Sequence, residues 1–195
     1  IAVVINGVDL PRYAPQDRDS ALAKEWGLEN KFVVGYIGTH GMAHGLENVL
    51  EAAAHLGHRK DLRFLFAGPG AARDRLIQEA KERSLTNVVF IPSQPKDRMP
   101  AIWSLCDVAL VHLKDTPVFA EVIPSKIFEA MGMGLPVLIA APDGEATEIV
   151  NKSGAGLVIP PENANALVQA TERFLDDPEF KNKAGERSFA AAPGH

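Results

Sequence analysis

Cysteine is almost absent from this chain, with Cys106 the only one in 195 residues. That excludes an internal disulfide and any metal site built on clustered cysteines. Positive charge is not in excess either: 20 basic residues face 25 acidic ones, for a formal net charge of −5. Such a balance argues against a basic nucleic-acid binder. Long apolar runs are missing. The stretch from Cys106 to Val111, interrupted by Asp107, is far too short to span a bilayer. No basic segment followed by an apolar one opens the chain, and a reducing, cytoplasmic setting is expected. Also absent are the Gly-x-Ser-x-Gly elbow of many hydrolases and the Gly-Lys-Ser/Thr of a nucleotide phosphate loop.

What is present suffices for a well-packed domain. Hydrophobic residues make up 46% and charged residues 23%, so a sizeable core forms and disorder is excluded. Short apolar runs recur at residues 32–37, 63–67, 88–91, 108–111, 137–140 and 156–159. They are apolar on nearly every position, as in parallel strands covered on both faces. Between them apolar residues repeat at three and four, as in Leu46, Val49, Leu50, Ala53 and Leu56, or Leu167, Ala170, Thr171 and Phe174. This alternation predicts a doubly wound, Rossmann-like α/β domain with a parallel sheet and right-handed crossovers. Residues 1–5 read as a strand or interdomain segment ending in the turn Asn6-Gly7. Without an initiator Met, residue 1 is not expected to be a native start. A polar helix is expected from Asp177-Pro178 to Arg187, and residues 190–195 read as a frayed end.

Ligands of open α/β sheets bind at the carboxyl ends of strands, where strand order reverses. After the first full strand comes Gly38-Thr39-His40-Gly41-Met42-Ala43-His44-Gly45. Its glycines let a ligand approach the backbone, and the helix that follows favours an anion; a tight turn with no ligand is the competing reading. Gly68-Pro69-Gly70 after the second strand invites the same argument. The richest stretch follows the fourth strand, from Phe119 to Val137. Pro124 and Ser125 suit a helix start, Pro in the first turn and Ser as a cap. Glu121 then falls in the loop and Glu129 within the first two turns, so that both carboxylates can converge on one cleft. A carboxylate is an acceptor-only fork suited to neighbouring sugar hydroxyls. Lys126 and the helix amides add positive potential for a diphosphate. Equally open on spacing alone is a Glu129 that merely complements the helix dipole beside a solvated Lys126. His40 and His44 stand four apart but lack a third ligand, so no metal site is expected. His112 follows a strand and suits either the cleft or a structural role, while Cys106 reads as core.

Several of these stretches resemble the C-terminal domain of retaining glycosyltransferases of family four, which have the two-domain GT-B architecture. The similarity is carried by Val4-Ile5-Asn6-Gly7-Val8-Asp9, Leu65-Phe66-Ala67-Gly68-Pro69-Gly70 and Glu121-x7-Glu129 with Gly134-x-Pro136-Val137. Asp143-Gly144-Glu145 and Gly154-Ala155-Gly156 fit the segments that follow. The resemblance implies a single donor-binding domain over residues 1–195, one half of a GT-B fold, with an N-terminal acceptor domain outside this chain. It implies a UDP-sugar donor, retention at the anomeric carbon, and no metal or other cofactor. Glu129 would hold the ribose diol and Glu121 would face the donor sugar or its diphosphate, with Glu121 and Lys126 the catalytic pair. Gly38, Thr39, His40, Gly41 and Ser125 would line the donor, with the base near Ile91, Pro92 and Ser93.

One departure matters. The family's usual Arg and Lys on the diphosphate are replaced by Thr39 and His44, so Lys126, the loop backbone and His40 would carry more of that charge. The Ile123-Pro124-Ser125-Lys126 variant resembles a bacterial surface-polysaccharide subgroup, often using N-acetylated amino sugars. That implies a glycan or lipid-linked acceptor, no nucleic acid, and peripheral association of the longer protein with the inner membrane face. Two alternatives stay open at this stage, a GT-B-like nucleotide-sugar epimerase and a non-catalytic nucleotide-binding regulatory domain.

Overall fold

The computed structural model describes residues 9–194. The expected opening strand and the Asn6-Gly7 turn lie outside the described residues, as does His195. The six strands β1 (Phe32–Ile37), β2 (Leu62–Ala67), β3 (Val88–Ile91), β4 (Val108–His112), β5 (Val137–Ala140) and β6 (Gly156–Ile159) coincide closely with the apolar runs of the sequence. They form one parallel sheet in the order β3-β2-β1-β4-β5-β6. The four interior strands are buried along nearly their whole length. The edge strands β3 and β6 are half-buried except at their last residue, because an edge has only one covered flank.

Successive side chains of a strand point to opposite faces, and β1 sorts its residues accordingly. Val33 and Ile37 enter one core, and Val34 and Tyr36 enter the other. The first core is closed by α1 (Ser20–Glu25), α4 (Met99–Trp103), α5 (Lys126–Gly132) and α6 (Glu145–Ser153). The second is closed by α2 (Glu47–His55), α3 (Arg73–Glu82) and α7 (Ala164–Asp176). Within β1, Gly35 leaves room for a neighbour: a Cβ there would sit 2.2 Å from the Sγ of buried Cys106.

The C-terminus differs from expectation. Instead of fraying from Ala190, the chain stays helical to Ala191 as α8 (Pro178–Ala191), and Ala192 is fully buried. Asp177 caps this helix by accepting from the Phe180 N–H, and Pro178 occupies its first turn, where a missing N–H costs nothing. Ala184 joins the second core and Ala192 the first, so α8 links the two faces. Burial of Ala192 and the high helix propensity of alanine together hold the last turn.

Candidate functional site

The chain runs outward from β1 to β2 on one side and from β4 to β5 on the other. The loops that leave β1 and β4 therefore diverge and open a crevice. It is a hollow of about 520 Å³. Gly38, Thr39 and His44 line it from the loop after β1, with Pro124, Ser125, Lys126 and Glu129 opposite and Arg12, Tyr13, Lys96 and Met99 at its rim. An adjoining pocket of about 120 Å³ shares Gly38, Thr39 and Met99 and adds Gly68, Ser93 and Gln94. A comparable hollow of about 470 Å³ lies at the opposite, amino end of the strands, beside Cys106 and Gly134. Burial pushes the Cys106 thiol up, so it is not a nucleophile there.

The floor of the crevice is two loops fastened together. The Gly38 N–H donates to the Ala67 carbonyl (2.9 Å), the His40 N–H to the Pro69 carbonyl (2.7 Å), and the Ala72 N–H to the His40 carbonyl (2.9 Å). Gly68 has φ +135°, and a Cβ on it would lie 2.2 Å from the Gly38 carbonyl oxygen. Only glycine allows this stacking.

Above that floor lies Lys126, half-buried at the start of α5. Its ammonium sits 3.8 Å from the centroid of the Tyr36 ring and against Gly38, where a Cβ would be 2.9 Å from Nζ. Among the described residues no carboxylate lies within ion-pair distance of it. Burial brings its pKa down to about 7, opposed by the Glu129 charge. Ser125 is exposed at the N-cap position with no side-chain capping bond. The helix start offers fewer free amides than its sequence suggests, because Ile127 donates to the Pro124 carbonyl, and Phe128 and Glu129 to the Ser125 carbonyl.

Glu129 faces the hollow from the first turn of α5. The Trp103 indole N–H donates to its Oε2 at 3.1 Å; the Tyr13 hydroxyl is beside it too, its pKa raised by burial first, then by the Glu129 charge and a hydrogen bond to that carboxylate. A carboxylate accepts about four bonds, so these two donors orient the fork and leave acceptor capacity toward the hollow. Glu121 is not brought beside it. It ends the exposed 3₁₀ turn Pro117–Glu121 and lines neither pocket.

The histidines divide by depth. His44 lines the hollow, its pKa lowered by burial and by Lys126. His40 is fully buried behind the floor with both ring nitrogens unpartnered, among the rings of Tyr36, Phe66 and Phe90. Burial first, then the charges of Arg73, Lys126 and His44, push its pKa down to about 4. His112 is fully buried too. Its Nδ1 donates to the His44 carbonyl at 2.7 Å and its Nε2 meets Asn48 at 3.1 Å, so it braces the loop from behind. Near the base position, Ser93 lines the smaller pocket, Ile91 is buried at the end of β3, and Pro92 is exposed outside both hollows. Gly41 starts the 3₁₀ turn Met42–His44 beside the His44 ring. Sequence reasoning missed Tyr13, Tyr36 and Trp103. Of these Tyr36 had a signal, as a hydroxyl-bearing ring in an otherwise apolar strand just before the glycine loop.

Comparison with known proteins adds to this geometry. A profile of the family described as glycosyl transferases group 1 matches residues 19–190. The alpha-D-kanosaminyltransferase of Streptomyces kanamyceticus is 30% identical over 173 residues, 88% of this chain and 43% of that protein. The putative colanic acid biosynthesis glycosyl transferase WcaI of Escherichia coli (strain K12) is 33% identical over 162 residues, 81% of this chain and 39% of that protein. This chain thus spans less than half the length of these curated relatives. Among solved structures, Anabaena Alr3699/HepE in complex with UDP has a TM-score of 0.85 at 24% identity, covering 99% of this chain and 52% of that one. The C-terminal domain of the group 1 family protein LpcC from Francisella tularensis has a TM-score of 0.77 at 17% identity, covering 96% of this chain and 97% of that one. The α/β fold is the one found in GT-B glycosyltransferases.

Proposed function

The chain belongs to the glycosyl transferases group 1 family, and from that premise we propose that it is the C-terminal, donor-binding domain of a retaining glycosyltransferase. Its donor is a UDP-sugar, and the whole enzyme works in bacterial surface-polysaccharide synthesis, in the cytoplasm at the inner membrane face. An N-terminal domain holds the glycan or lipid-linked acceptor. The observation that carries this reading is the placing of an oriented carboxylate, Glu129, and a basic side chain, Lys126, on one wall of a glycine-floored hollow at the strand-order switch.

In this reading Glu129 accepts from both ribose hydroxyls with the lone pairs that Trp103 and Tyr13 leave open. Lys126 and the Gly38–Thr39 backbone meet the diphosphate, and the base lies toward Ser93 in the adjoining pocket. As the bond to the sugar breaks, negative charge grows on the diphosphate, and a preset cation in a water-poor site lowers that barrier. Glu121 lies outside the hollow, and its role at the donor sugar rests on the family resemblance alone.

Calorimetry of UDP against the parent and Glu129→Ala tests the proposal. Loss of charge-assisted hydrogen bonds worth roughly 1.5–3 kcal/mol each weakens UDP by at least about tenfold. Equal affinities would remove the ribose assignment. Labelled UDP-sugar given to the longer protein, scored for transfer, epimerisation or neither, separates a transferase from the two other classes.

A further inference from the structure

We infer that Tyr36, a residue with no role in the reading so far, is a positioning residue for the donor's diphosphate. It holds the Lys126 ammonium on its ring and the Thr39 backbone on its hydroxyl. The inference deepens the donor-binding reading and rests on it.

Two contacts made by one side chain carry it. The Tyr36 hydroxyl donates to the Thr39 carbonyl at 2.8 Å, and the ring lies 3.8 Å beneath Lys126 Nζ. Packing alone asks for neither. Tyr36 is fully buried on β1 beside the rings of Phe66, His40 and His44, where Leu or Phe would serve the core. A buried phenol must also find a partner for its O–H, and here that partner is the Thr39 carbonyl of the glycine loop, which is thereby held from turning toward a phosphate oxygen. The hydroxyl thus keeps a repulsive acceptor away from the anion.

The ring does the complementary task. An ammonium without a carboxylate at ion-pair distance needs another source of negative potential, and an aromatic face supplies it. The groups around Lys126 are Tyr36 on β1, His40 and His44 on the following loop, and Glu129 on its own helix. The rings of His40 and His44 stand 5.7 and 5.9 Å from that of Tyr36. The two histidines oppose the lysine's charge, while Tyr36 and Glu129 favour it. Tyr36 is therefore where the cation and the backbone floor are joined, so that both face an incoming diphosphate in fixed relation.

The test replaces Tyr36 in the full chain by Phe and then by 4-fluoro-, 3,5-difluoro- and 3,4,5-trifluorophenylalanine. These analogues keep the shape of the ring while draining its face of negative potential. Each variant is titrated calorimetrically with UDP and with uridine, and thermal melts verify folding. The expected result is a loss of UDP affinity of about threefold to tenfold for Tyr36→Phe, then a graded further loss with each fluorine and unchanged uridine binding. The pH above which UDP binding fades also moves lower along the series. In a Lys126→Met background the fluorine effect vanishes. A flat or rising UDP affinity along the series, or an equal loss for uridine, overturns the inference while leaving the donor reading intact. Failure of the parent Tyr36 protein to bind UDP at all overturns both.

Discussion

The Trp103 indole joins the end of α4 to the first turn of α5 through its hydrogen bond to the Glu129 carboxylate. Trp103 is fully buried and Glu129 half-buried, so the bond runs from the core to the wall of the hollow. The residue that anchors the first core also aims the site's carboxylate.

Trp103→Phe keeps most of the packing and deletes the donor. A hydrogen bond to a charged group is worth about 1.5–3 kcal/mol, and urea unfolding should register a loss of that order. UDP affinity should fall in parallel, because the fork is no longer oriented. Unchanged affinity in a destabilised variant would mean that the indole matters to the core alone.

Lys126 should make UDP binding pH-dependent. Its folded pKa of about 7 lies below the ordinary 10.5, so the free site loses its cation as pH rises through 7. UDP, which favours the charged form, should bind progressively more weakly above that pH, and Lys126→Met should abolish the slope. The linkage has the opposite sign for ligand-free stability. Between about 7 and 10.5 the unfolded chain holds the extra proton, so stability should rise with pH there. Denaturant titrations across the window check that rise.

Acid should act through His40 and His112, each with a folded pKa of about 4 against an ordinary 6.5. Between those values the unfolded state binds more protons, so stability falls as pH drops from 6.5 toward 4. His40→Phe removes two buried nitrogens that lack partners. It should flatten that fall and leave the chain at least as stable at pH 7. A steeper acid transition in this variant would contradict the assignment.

Gly35 and Cys106 should behave as a coupled pair. In Gly35→Ala the new methyl meets the Cys106 Sγ, and overpacking of this kind costs about 1–3 kcal/mol. Cys106→Ala in the same chain should recover much of that loss. Simple additivity of the two substitutions would show that the strain lies elsewhere.

Much of this was legible before the structure because unbroken apolar runs such as Val108-Ala109-Leu110-Val111 admit one reading in a chain that alternates them with helical periods. The strand-order rule then pointed to the loops after β1 and β4. Pairwise orientation was harder to read. Glu121 and Glu129 share a motif by spacing, yet the 3₁₀ turn carries Glu121 outward. Thr39 and His40 are adjacent in sequence, but one lines the hollow and the other is sealed among aromatic rings. Trp103 and Tyr13 reach Glu129 from distant segments, and no local pattern announces such convergence. The C-terminal helix was underestimated because its last turn depends in part on Ala192 fitting into a core that the local sequence does not reveal.

The fastened loops beneath the hollow have a kinetic and calorimetric consequence. Gly38, His40 and Ala72 tie their amides across the gap between the turns after β1 and β2, so that side of the site is set before any ligand arrives. The wall opposite is the start of α5, where Ser125 is exposed and Lys126 and Glu129 are half-buried, so the ordering that binding requires falls on those side chains. Encounter with the rigid side resembles docking onto a template, so a ligand spends little ordering entropy there.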